Sequence, residues 1–303
     1  MMTPQTRILI TGCGGMLGDA VYSALKDRAV VWATDIDVNE QWLSRLDVRD
    51  RDAVRSTFDE FTPDLVLHLA ALTDVEYCET HPEEAFRTNA VGTENVVMQC
   101  VKRDLPMVYI STAGVFDGKK DVFTEYDEAH PINMYGRSKL AGEMALRWHL
   151  PKGFIVRAGW MMGGGPTKDK KFINKIVKQL KEGKRNLFVV DDKLGCPTFT
   201  HDFAATLVGL VESKQYGLYH CVGEGSGSRY DVAVELVKLL GLEKKVTVTR
   251  VASSHWQKEY FTARPASEQL QNLKLTLKGL NNMRDWHESL RDYLSRHSWD
   301  IDA

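Results

Sequence analysis

The sequence predicts an α/β protein: a doubly wound parallel sheet with a smaller α/β portion attached. Three features predict it. Short apolar strands alternate with amphipathic helices through the first half of the chain. A glycine-rich turn, Thr11-Gly12-Cys13-Gly14-Gly15-Met16-Leu17-Gly18, ends the first strand. Tyr135 and Lys139 follow about 120 residues later, four positions apart in Tyr135-Gly136-Arg137-Ser138-Lys139.

Each element has its own signal. Residues 7–11 are β-branched and apolar, the glycines follow, and 16–26 form an amphipathic helix. A second strand, 29–34, stops at Asp35. A helix at 50–61, a very apolar strand at 65–70, a long helix at 82–103, a strand at 107–110, a helix at 135–149 and a strand at 154–157 continue the alternation. Strands joined by helices on this spacing must run parallel. Beyond Met161 the pattern loosens. Residues 163–166 and 168–171 read as a polar, solvated connection. Then come a helix at 172–181, a strand at 187–190, helices at 203–212 and 230–240, a strand at 246–251 and a helix at 285–297. With no internal repeat and no clean linker, the late segments are expected as insertions on one sheet rather than a second independent unit.

Composition excludes several functions. At 303 residues, with 43% hydrophobic and 26% charged residues, the chain can bury a large core. A formal net charge of −2 gives no electrostatic case for nucleic acid or an anionic membrane. The N-terminus runs directly into a strand and no apolar stretch approaches spanning length, so a cytoplasmic protein is expected. The five cysteines are scattered, which argues against a disulfide framework or a metal site and for a reducing compartment.

The glycine turn and the Tyr–Lys pair carry the chemistry. Glycines permit a tight turn and a close approach to a pyrophosphate, while free amides at the helix start face its negative charge. Asp35 ends the second strand about 20 residues downstream, where a carboxylate bonds adenosine ribose hydroxyls and repels a 2′-phosphate. No Arg or Lys follows directly, so NAD(H) is preferred, with NADP(H) also to be considered. On a helix, Tyr135 and Lys139 share one face. A tyrosine near 10 needs its value lowered by about three, roughly 4 kcal/mol, to act at neutral pH. A lysine about 4 Å away supplies about that much at an effective dielectric near 20. Ser111 and Thr112 fall at the carboxyl edge of the sheet, where one of them can hold a substrate oxygen. The alternative at every one of these positions is an ordinary turn, an incidental surface pair or a locally satisfied hydroxyl.

Taken together these residues resemble the extended short-chain dehydrogenase/reductase family and, within it, the dTDP-4-dehydrorhamnose reductase branch. The resemblance runs over about residues 7–275 and includes Asp47-Val48, Ala70-Ala71-Leu72-Thr73-Asp74-Val75, Asn89-Ala90, Val115-Phe116-Asp117-Gly118, Arg157-Ala158-Gly159-Trp160, Gly195-Cys196-Pro197-Thr198 and Arg264-Pro265. It implies a Rossmann domain, residues 1–160 completed by 187–218, and a substrate-binding portion of 161–186 and 219–303. It implies a catalytic triad of Thr112, Tyr135 and Lys139. The implied cofactor residues are Gly12, Gly14, Gly15, Met16, Leu17, Asp35, Asp47, Val48, Ala70, Ala71, Thr73 and Asn89, together with Tyr135 and Lys139. Thr73, Val75, Ser111, Phe116, Trp160 and Arg264 are the implied substrate contacts: Trp160 by stacking on a base or sugar, Arg264 by pairing with the pyrophosphate. The expected partners are a sugar nucleotide and a second copy of the chain.

Two departures bear on the substrate. Ser-Thr-Asp-Tyr-Val-Phe, usual in this branch, reads Ser111-Thr112-Ala113-Gly114-Val115-Phe116, a form shared with sugar-nucleotide epimerases. The pattern Arg-Pro-x-Asn-Ser reads Arg264-Pro265-Ala266-Ser267-Glu268, and a carboxylate there is awkward beside a pyrophosphate. Ala113 and Gly114 supply neither acid nor base, against a 4,6-dehydratase. Three readings therefore stand: reduction of a 4-keto-6-deoxy sugar nucleotide, an epimerase that retains its NAD, and a silent regulatory subunit of the same fold.

Overall fold

The computed structural model describes residues 2–301. Its main sheet contains β1 (Arg7–Thr11), β2 (Val30–Asp35), β3 (Leu43–Arg45), β4 (Leu65–His68), β5 (Met107–Thr112), β6 (Gly153–Ala158) and a seventh strand, Gly217–Cys221. The order across the sheet is Gly217–Cys221, β6, β5, β4, β1, β2, β3, and every pairing is parallel. Connections leaving β1 and β4 run to opposite sides, so a crevice opens over the carboxyl ends of these two strands. Side chains alternate between faces as strand geometry requires. Ile8 and Ile10 pack with Val21, Leu25, Phe203 and Leu207, whereas Leu9 packs on the other face with Phe58, Val96, Met107 and Ile155.

Helix α1 (Met16–Leu25) follows the glycine turn, and α2 (Arg51–Phe61) starts at Asp50, whose side chain accepts from the amides of Asp52 and Ala53. Next come α3 (Val75–Thr80), α4 (Pro82–Phe86) and α5 (Gly92–Arg103), then α6 (Met134–His149). The long helix expected at 82–103 is interrupted by a π-helical turn, Arg87–Val91, that joins α4 to α5. No helix among the described residues is long and apolar enough to cross a membrane.

A second core lies in the late segments. Helices Phe172–Lys181, Arg229–Leu239 and Trp286–Ser295 enclose Ile176, Leu187, Val232, Leu236 and Leu290 beside a two-stranded sheet of Asn186–Val190 and Thr247–Val251. The segment 187–218 therefore divides. Its strand belongs to this smaller sheet, while helix Thr200–Ser213 packs on α1 and leads into the seventh strand of the large one. The connection at 163–171 also differs from the solvated loop expected. Lys168 reaches back to Asp19 at 2.8 Å and Glu40 at 2.9 Å, and Asp169 is buried, accepting the amides of Lys171 and Asn174.

Candidate active site

The glycine turn crosses directly against the loop that leaves β4. Gly12 has φ +71°, and a β-carbon there would lie 2.3 Å from the Ala70 backbone, so the crossing requires glycine. Gly15 faces open space. Beyond it Met16 and Leu17, both half-buried, open α1, whose first amides have no intrahelical acceptor. Asp35 accepts the Gly14 amide at 2.8 Å through one oxygen and the Asp37 amide at 3.0 Å through the other. Room over Gly15, unsatisfied helix amides and a carboxylate at the end of β2 fit a dinucleotide. Asp47 is paired with Arg49, which holds its carboxyl below the ordinary value, and Val48 is buried against Gly92. Ala70, Ala71 and Thr73 line the loop between β4 and α3, and Thr73 is exposed.

Across the crevice stand Thr112, Tyr135 and Lys139. Thr112 closes β5, and its Oγ1 accepts the Gly114 amide at 3.1 Å, which leaves the hydroxyl proton free for a substrate oxygen. Asn133 caps α6 by accepting the Gly136 amide at 2.9 Å, and its own amide group holds the Ala263 carbonyl at 3.0 Å. This fixes where Tyr135 emerges. Lys139, one turn on and buried, lies with its ammonium 4.1 Å from the Tyr109 ring centre. Burial lowers Lys139 to about 7, partly offset by the charge of Glu143. Burial raises Tyr135 to about 12, with the neighbouring Thr112 side chain offsetting part of the rise and the Glu268 charge adding to it. The lowering of Tyr135 expected from the lysine is therefore absent in the free protein. Desolvation outweighs a cation that burial itself discourages.

Four other expected site residues are committed elsewhere. Ser111 donates to Glu143 at 2.6 Å, within a buried pair in which Arg157 makes two 2.8 Å bonds to the same carboxylate. Phe116 is fully buried and stacks on Phe123. Asn89, in the π turn, spends both amide protons on Leu72 and Ser138 and accepts the Leu72 amide, so it fixes the loop that follows β4. Arg264 forks onto Glu76 at 2.7 and 2.8 Å, so the bidentate face expected for a pyrophosphate is taken by a carboxylate of the chain itself.

Trp160 does reach the crevice, half-buried, with its indole N–H donating to Glu268 at 2.8 Å. Its ring already carries the Arg229 guanidinium at 4.0 Å and the Gly195 backbone, so the free stacking face expected for a base or sugar is occupied. Arg229 carried no signal in the sequence. A second unforeseen group is His68, fully buried and lowered to about 3 by burial and the Lys139 charge. It bonds Thr11 at 2.6 Å and Thr93 at 3.0 Å beneath the site.

The family described as the RmlD substrate binding domain matches residues 6–298. The chain belongs to this family. It is 34% identical over 292 residues to the dTDP-4-dehydrorhamnose reductase of Mycolicibacterium smegmatis, covering 94% of this chain and 84% of that protein. The crystal structure of a dTDP-4-dehydrorhamnose reductase from Clostridium acetobutylicum superposes with a TM-score of 0.88 at 34% identity, covering 96% of this chain and 99% of that one. A Bacillus anthracis dTDP-4-dehydrorhamnose reductase crystallised with NADP gives 0.87 at 29% identity, with the same coverage. The RmlD family thus accounts for both the large sheet and the late insertions, as a branch of the extended short-chain dehydrogenase/reductases.

Proposed function

We propose that the protein is an NAD(P)H-dependent reductase of a 4-keto-6-deoxy sugar nucleotide. The observation that carries this reading is Thr112 at the carboxyl end of β5 together with Tyr135 and buried Lys139 one turn apart on α6, across the sheet edge from the glycine turn. A bound reduced nicotinamide supplies the hydride to the ketone carbon. Tyr135, protonated at neutral pH, donates its hydroxyl proton to the ketone oxygen, and the Thr112 hydroxyl donates to the same oxygen as negative charge develops there. Lys139 places a cation beside that charge. Thr73, Val75 and Trp160 border the crevice where the sugar and its nucleotide would lie.

The cofactor reading is NAD(H) in preference to NADP(H), because a 2′-phosphate at the end of β2 meets Asp35. The relative solved with NADP makes NADPH the necessary comparison. A homodimer is supported by apolar side chains left exposed on α5 and α6, Val101, Met144 and Trp148 among them. All five cysteines are free and buried, in keeping with a reducing cytoplasm.

The test is oxidation of NADH and NADPH, followed by absorbance, across a panel of 4-keto-6-deoxy sugar nucleotides. Tyr135→Phe should still bind cofactor yet lose turnover by about two or more orders of magnitude. Near wild-type oxidation by that variant would overturn the mechanism. Turnover without added NADH, by protein purified with bound NAD, would instead mark an epimerase.

A further inference from the structure

The smaller portion contributes one side chain to the reacting end of the crevice. Glu268 lies on the short strand Ser267–Glu268, in register with Gly195. One of its oxygens accepts the Trp160 indole proton. The other, Oε1, makes no hydrogen bond among the described residues. A β-carbon on Gly114 would sit 3.6 Å from Oε1 and 3.4 Å from Thr112 Oγ1, in van der Waals contact with both, so the two oxygens lie on either side of the Gly114 Cα face and no more than about 7 Å apart. Two hydrogen bonds of about 2.8 Å plus the similar gap between neighbouring sugar oxygens span that distance. Burial raises the Glu268 carboxyl above its usual value, while the Trp160 bond and the charges of Arg229, Arg264 and Lys193 hold it back. A carboxylate here repels a diphosphate and accepts from a hydroxyl.

We propose that Glu268 is a specificity-determining residue: its Oε1 accepts a hydrogen bond from the sugar hydroxyl adjacent to the ketone, so the site selects keto sugars that keep a hydroxyl at that carbon. This rests on the sugar-nucleotide reading above. Trp160 and Arg229 position the carboxylate, and the diphosphate is directed away from it.

The test measures binding of dTDP-rhamnose, its 3-deoxy analogue and dTDP to the NADH-loaded protein by calorimetry, in wild type, Glu268→Gln and Glu268→Ser. A hydrogen bond to a charged group corresponds to a preference of about 10- to 100-fold for the hydroxylated sugar in the wild type. Glu268→Ser should shrink it to about threefold or less while dTDP and NADH affinities stay unchanged. Retention in Glu268→Gln alongside loss in Glu268→Ser also supports the proposal, because glutamine keeps an acceptor. A preference that survives in both variants, or is absent in wild type, overturns it, as does lost dTDP binding in both, which marks Glu268 as merely structural. If the wild type turns over keto sugars while the preference survives in both variants, only this inference fails. If it binds no sugar nucleotide, the functional reading falls as well.

Discussion

Lys139 decides more than proximity to Tyr135 suggests. Its ammonium sits on the face of Tyr109 beneath a closed surface, and burial brings it to about 7, so near neutrality it titrates while Tyr135 does not. Two outcomes follow from the sign. If the cation assists proton donation, the single-turnover rate of ketone reduction falls as pH rises above about 7, and Lys139→Met lowers and flattens that profile, by about 10- to 100-fold at pH 6.5. In the unliganded protein the linkage runs the other way. The unfolded chain keeps the lysine proton up to about 10.4 whereas the folded one releases it near 7, so this group's contribution to stability rises with pH across that window. Urea titrations between pH 7 and 10 should show a positive slope that Lys139→Met removes. At this scale the sequence was legible where the signal is local: Gly12 follows β1, Asp35 ends β2, Thr112 ends β5 and Tyr135 lies in the first turn of α6. It was illegible where a side chain's partner lies far along the chain, as for Ser111 with Glu143 or Arg264 with Glu76.

Among the elements, α6 positions the reacting pair, and Asn133 sets its start. The side chain works twice, satisfying a helix amide and holding the 263 carbonyl of the smaller portion. Asn133→Ala should therefore cost about 1 kcal/mol, the typical value for a lost cap, because the exposed Ala263 carbonyl can turn to water instead. Thermal unfolding checks the loss, and Asn133→Asp should recover the cap but not the bond to Ala263. Apolar alternation made the six strands before residue 160 readable except Leu43–Arg45, which is too short to alternate. The π turn at Arg87–Val91 was hidden because its residues suit an ordinary helix, and only the tertiary demand of Asn89 on Leu72 and Ser138 explains the extra residue. The strand Gly217–Cys221 was likewise obscured, since it joins a sheet whose neighbouring strand, β6, ends some 60 residues earlier.

In the molecule as a whole, the smaller portion is strapped to the large sheet across the mouth of the crevice. Lys168 bridges from the 163–168 segment to Asp19 on α1 and Glu40 after β2, above the Trp42 ring. That segment also presses on Met16, since a β-carbon on Gly164 would lie 3.0 Å from the Met16 side chain. It therefore lies over the helix start offered to the cofactor. Asp19 and Glu40 are both partly exposed, so the pairs are worth no more than about 1 kcal/mol between them once water and salt screen them. Their weight is kinetic, because a bound dinucleotide must leave past a strap that two ion pairs keep shut. Lys168→Ala should speed NADH release by about three- to tenfold in stopped-flow fluorescence while moving the melting temperature by only about 2 to 4 °C. Raising salt to 1 M should narrow the gap between wild type and variant, since the Debye length falls to about 3 Å. An unchanged release rate at low salt would show that the strap holds the two portions together without guarding the cofactor.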